Sequence, residues 1–105
     1  MRRSGSLERE TRRLAELLVQ AGRQDVALPL LHALADRIER FRLDDWEPQL
    51  AAEVYRLQVD ANRRLQKKIK DPKDKAAETY ATAAREAHAL LCRVDPARAI
   101  AMQEE

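Results

Sequence analysis

Two glycines and four prolines are all that interrupt this 105-residue chain. Ala, Leu, Glu, Arg, Lys and Gln dominate the remainder, residues that lose little rotamer freedom on a helix. An all-α fold follows, and the few breakers mark where its helices end. Leu7, Leu14, Leu17, Leu18 and Ala21 form an apolar stripe at helical spacing, which predicts a helix from about Ser6 to Ala21 stopped by Gly22. Asp25 is the expected cap of a second helix reaching Arg40 or Phe41 and burying Val26, Leu30, Leu31, Leu34 and Ile38. Pro29 then falls at its fourth position, among N–H groups that have no intrahelical partner.

After the short connection FRLDD, a third helix is expected from Asp45–Trp46 to about Ile69, with Asp44 and Asp45 as capping acceptors and Pro48 in its first turn. Leu50, Val54, Leu57, Ala61 and Leu65 mark its buried face. KDPKD, residues 70–74, is the clearest break, since Pro72 disfavours helix at Asp71. A fourth helix spans about Lys75–Val94, with Tyr80, Ala84, Ala87, Leu91 and Val94 inward. Asp95–Pro96 opens a short last one, and MQEE frays at the terminus. Short connections between such helices predict antiparallel hairpins, here about five helices in a small bundle with tetratricopeptide-like pairing. The sequence RRSGS at residues 2–6 reads as part of a disordered linker or expression scar over 1–6, leaving 7–105 as one domain.

Eighteen of the 47 apolar residues are alanine, against fourteen Leu, five Val and three Ile. Such an interior buries modest apolar area, so self-association is a natural way to bury more. Charged residues are 36% of the chain, yet twenty basic groups nearly balance eighteen acidic ones. That balance argues against a dedicated nucleic-acid binder. The single Cys92 fits a reducing compartment, no stretch approaches the roughly 20 apolar residues of a membrane span, and no signal peptide is visible. A soluble, cytoplasmic protein is expected.

Little here resembles a catalytic site. His88 and Cys92, at i and i+4, could reach a common metal, but they read as a half-buried histidine beside a small core cysteine. No phosphate loop, dinucleotide fingerprint or metalloprotease motif occurs. Glu8, Glu16, Asp36, Glu39, Glu53 and Asp60 alternate with arginines as solvated helix faces. No enzyme activity, cofactor or metal is expected.

Two features invite a binding role. Residues 62–75, NRRLQKKIKDPKDK, set seven basic residues against Asp71 and Asp74, +5 locally. Arg63, Arg64, Lys67, Lys68 and Lys70 could dock an acidic protein surface or nucleic-acid phosphates; the favoured reading is a frayed helix end and loop, where cations also suit the C-terminal dipole. Trp46, the one tryptophan, either staples a helix start by packing on Phe41, Leu43 or Leu50, or anchors a contact with another chain. Phe41, Leu43, Trp46 and Leu50 are accordingly the candidate oligomer contact, with Leu7, Val19 and Ile100 behind them.

Residues 14–57, with LLCRVDPARAI at 90–100, resemble the C-terminal domain of the TssA proteins of bacterial type VI secretion systems, also called ImpA or VasJ. The resemblance rests on Ala21–Gly22, Ala27–Leu28–Pro29, Trp46–Glu47–Pro48, Leu91–Cys92–Arg93 and Asp95–Pro96, in that order. Gly22, Pro29, Trp46, Glu47, Pro48, Asp95 and Pro96 are its signature residues. It implies a structural part that helps prime and coordinate assembly of the baseplate, inner tube and sheath in the bacterial cytoplasm. It also implies a homo-oligomeric ring of five- or six-fold symmetry, stacked in some members as a decamer or dodecamer. The alternative is a tetratricopeptide-like adaptor that binds a protein partner through its basic 62–75 segment.

Overall fold

A computed structural model describes residues 2–103, with side chains over 7–103. It has six helices and no strand among those residues: α1 (Arg2–Gln20), α2 (Gln24–Phe41), α3 (Leu43–Trp46), α4 (Pro48–Lys68), α5 (Lys75–Val94) and α6 (Pro96–Gln103). The all-α expectation holds. Met1, Glu104 and Glu105 lie outside the described residues. The backbone of residues 2–6, expected as linker, forms the opening turn of α1.

Gly22 ends α1 for the reason its position suggested. Its φ of +79° is left-handed, its N–H donates to the Val19 carbonyl (3.1 Å), and the Arg23 N–H reaches back to Leu18 (2.8 Å). That pair of bonds is a Schellman closure, which satisfies carbonyls the helix leaves open.

α2 begins two residues before the expected start. Its cap is Arg23, which makes no side-chain capping bond, while Asp25 sits in the first turn and pairs with Arg23 at 3.2 Å. Asp25 is therefore a dipole partner and not the cap. The early start moves Pro29 inside the helix, where its ring removes the N–H that would have met the Asp25 carbonyl. α2 closes through Arg42, held left-handed at φ 55°, whose N–H donates to the Ile38 carbonyl.

The long third helix of the sequence reading is two helices. Asp44 and Asp45 lie in the single turn of α3, Trp46 ends it, and α4 starts afresh with Pro48 at its first position. The cause is Pro48, whose ring bars the α region to the residue before it. Glu47 stands at φ −135°, ψ 65°, and breaks the spiral there. Further on, Asp74 caps α5 by accepting the Ala76 N–H at 2.9 Å, and Asp95 opens α6 by accepting the Arg98 N–H at 3.1 Å. The starts of both helices agree with the sequence.

The core runs along α4, which packs on α1, α2, α3 and, most extensively, α5. Leu31, Leu34, Ile38, Leu50, Val54, Leu57, Val59 and Leu91 supply its bulk. Nine of the twenty buried apolar residues are alanines, Ala77, Ala84 and Ala87 forming the inner face of α5. Small residues there let α4 and α5 approach closely, the packing an Ala-rich composition permits.

α1 overturns its predicted face. Leu7, Leu14 and Leu17 are exposed at 59%, 49% and 58%, Ala21 is exposed, and Ala15 and Val19 are buried instead. The inward side is partly ionic. Arg12 bonds Glu16 at 2.6 Å and lies 3.0 Å from Glu53 of α4, while Arg56 of α4 reaches Glu16 at 3.3 Å. Glu8, expected on a solvated face, is buried at 1% and paired with Arg37 of α2. Polar groups facing α2 and α4 have fixed the orientation of α1, so that Leu7, Leu14 and Leu17 point away from the core while Leu18 alone of the predicted leucines packs against it.

Candidate functional site

Trp46 is the most exposed large apolar residue of the described chain, at 79%. It packs on no core, because Pro48 forces α4 to begin after it and leaves it on a one-turn helix at a corner. Phe41, at the end of α2, is 51% exposed and carries the Arg37 guanidinium over its ring, 5.3 Å from the centroid. Leu43 is half-buried against the core. Leu50 is 3% exposed within the core, on the buried face its apolar period gave it, and belongs to no surface. Val19 is fully buried, whereas Leu7 and Ile100 are open. The candidate contact thus keeps Phe41 and Trp46, with Leu43 beneath them.

Ion pairs tie this corner to the start of α1. Arg9 pairs with Glu47, and Arg37 pairs with Glu8. Leu7, Phe41 and Trp46 accordingly belong to one end of the molecule. Around the corner, Glu39 and Asp44 line a cavity with Tyr55, Arg40, Arg42 and Arg93. Burial first, then the Asp44 and Glu39 carboxylates, push the Tyr55 phenol above its ordinary range, so it stays neutral there.

The basic segment divides into two kinds of residue. Arg63 donates to the Met102 carbonyl at 3.1 Å, near the end of α6, and Arg64 donates to the Val19 carbonyl at 3.2 Å, near the end of α1. Those are structural caps on the negative ends of two helices. Lys67, Lys68 and Lys70 are exposed and join no ion pair among the described residues. They crown the far end of α4, about 30 Å from Trp46 at ~1.5 Å per residue.

The His88–Cys92 pair is a surface feature: Cys92 is exposed, not a core thiol. His88 Nε2 lies 2.9 Å from the Ala99 carbonyl, which makes it the protonated nitrogen and turns Nδ1 toward the Cys92 sulfur at 3.7 Å. The histidine thereby fastens α6 to α5. No group of three or more potential metal ligands occurs among the described residues, nor is any described helix long and apolar enough to cross a membrane.

Two features escaped sequence reasoning. The outward leucines of α1 carry a helical period that cannot say which way it faces. The buried Glu8 differs from its exposed neighbours only in having Arg37 within reach across α2, and no local pattern reveals that.

Fold and surface together define an all-helical domain that presents exposed apolar and charged ends. Residues 8–58, covering most of α1, all of α2 and α3 and the first half of α4, match the family model described as "Type VI secretion, EvfE, EvfF, ImpA, BimE, VC_A0119, VasJ". This stretch is thus similar to a type VI secretion protein domain of the TssA/ImpA type. Gly22, Pro29, Trp46, Glu47 and Pro48 fall within the match, and Asp95 and Pro96 lie beyond it. No curated protein and no solved structure matches the chain.

Proposed function

We propose that this chain is the ring-forming C-terminal domain of a TssA-type protein, a structural subunit that helps prime and coordinate baseplate, inner-tube and sheath assembly in the bacterial cytoplasm. The observation that carries this reading is Trp46, an indole 79% exposed on a proline-defined corner of a domain in a type VI secretion family. An exposed tryptophan beside an exposed phenylalanine is the composition of a protein contact, where aromatic residues dominate binding energy. In this reading α1–α2 and α4–α5 act as tetratricopeptide-like hairpins, and copies join through unlike patches in a closed ring of five or six. Its direct partners are further copies of itself and components of the secretion apparatus.

Light scattering on Trp46→Ala tests it. The variant keeps its helical circular dichroism, because the indole buries little in its own chain, and its association weakens at least tenfold. Unchanged association would refute the role of Trp46.

A second reading has one observation in its favour, the unpaired Lys67, Lys68 and Lys70. An adaptor binding an acidic protein through residues 62–75 would stay monomeric and lose its partner when those lysines become glutamate.

A further inference from the structure

Between α1 and α2, at the end that carries Phe41 and Trp46, a small groove of about 150 Å³ is walled by Leu7, Thr11, Ala33, Leu34 and Arg37. That is the size of an engineered cavity able to hold one benzene-sized group. Glu8 lines the same groove, 1% exposed, and its two carboxylate oxygens are treated differently. Oε2 is taken by Arg37, whose guanidinium is further held over the Phe41 ring; Oε1 has no hydrogen-bond partner among the described residues. A buried carboxylate oxygen without a donor is costly, and native structures rarely leave one so. Apolar walls around an unsatisfied acceptor are complementary to one side chain above others, a lysine, whose methylene stem is apolar and whose ammonium only donates.

We propose that this groove receives a lysine from the Lys67–Lys70 run of a second copy of the chain. The inference rests on the assembly reading above and names the two surfaces that meet. Charge supports the choice of occupant. Residues 36–47, at the groove end, hold five carboxylates against three arginines, whereas 62–75 hold seven basic residues against two carboxylates. Position supports it as well. Arg9, next to Glu8 of the groove, pairs with Glu47 at the start of α4, and the lysines crown that helix's far end, so the contact joins opposite ends of neighbouring copies. Such a contact is heterologous, the kind that closes into a ring or extends as a filament. A neighbouring lysine of the run lies against the Trp46 face, the strongest cation–π acceptor among side chains. This one contact therefore uses both surface features of the sequence, the tryptophan corner and the basic run.

Two exposed-site variants test it. Lys67→Glu/Lys68→Glu/Lys70→Glu removes the occupant, and Ala33→Arg places a cation in the groove without touching Glu8. Light scattering on each variant alone shows monomer, while wild-type association falls roughly tenfold as salt rises from low to high. Mixing the two variants in equal amounts restores one intact contact per pair and gives a two-chain complex that grows no further. If wild-type chain assembles and the triple variant assembles equally well, the lysine–groove contact is wrong and self-assembly stands. If wild-type chain is itself monomeric, the assembly reading fails and takes this contact with it.

Discussion

Gly22 shows how far a single residue can be argued. Its φ of +79° belongs to the region where a Cβ meets its own backbone, yet a Cβ built there would touch nothing else within 4 Å. The cost of replacing it is therefore conformational and not steric crowding. Gly22→Ala is expected to lose about 1–2 kcal/mol, read as a lowered denaturation midpoint with an unchanged slope. Arg42 takes a similar left-handed turn without the exemption glycine enjoys, and its pairing with Asp45 at 3.4 Å is too exposed to offset much. Pro48 acts at the same scale in the opposite sense. By restricting Glu47 it cuts one helix into two and sets Trp46 outside the fold. The break into two helices was hidden in the sequence, where WEP read as an ordinary helix entry.

At the scale of elements, what was legible depended on what each helix packs against. α5 ran from Lys75 to Val94 as expected, because Asp74, a side-chain cap, and Asp95–Pro96, a proline stop, are local signals. The faces of α2, α4 and α5 followed the apolar period, since Leu31, Ile38, Val54, Leu57 and Leu91 face a common core; Val26, expected inward at the start of α2, is the exception at 39% exposed. α1 did not follow it. Its period is as regular, but Arg12, Glu16, Glu53 and Arg56 join across the α1–α4 contact and turn the leucines outward. Charge pairing over some 40 residues of sequence leaves no local trace. Leu14→Ser with Leu17→Ser should change stability by no more than about 0.5 kcal/mol, as surface substitutions do. Val19→Ala should cost about 2 kcal/mol for two buried methyl groups and the space they leave. Thermal unfolding of both variants reads the difference; the reverse ranking would mean that α1 packs by its leucines after all.

Over the whole molecule, 46 × 26 × 22 Å in extent, the two ends differ in kind. One carries Leu7, Phe41 and Trp46 and a groove lined by Leu7 and Glu8, and the other holds lysines that join no ion pair among the described residues. The candidate contact was partly legible. Trp46 and the basic run could be found from composition, whereas Leu50, already on the buried face of its helix by its apolar period, was wrongly counted among the contact residues as well. Their belonging to opposite ends of one rod, and the unsatisfied carboxylate between α1 and α2, needed the fold. The likeness of residues 8–58 to a type VI secretion family is the ground for the assembly proposed for these surfaces. The central claim is that unlike ends of the same chain bind each other. The mass of the 105-residue chain in solution, followed by light scattering up to high micromolar concentration, tests it most directly. A closed oligomer of several 12.1 kDa chains that dissociates with added salt is the predicted result, and a clean monomer throughout would contradict the claim.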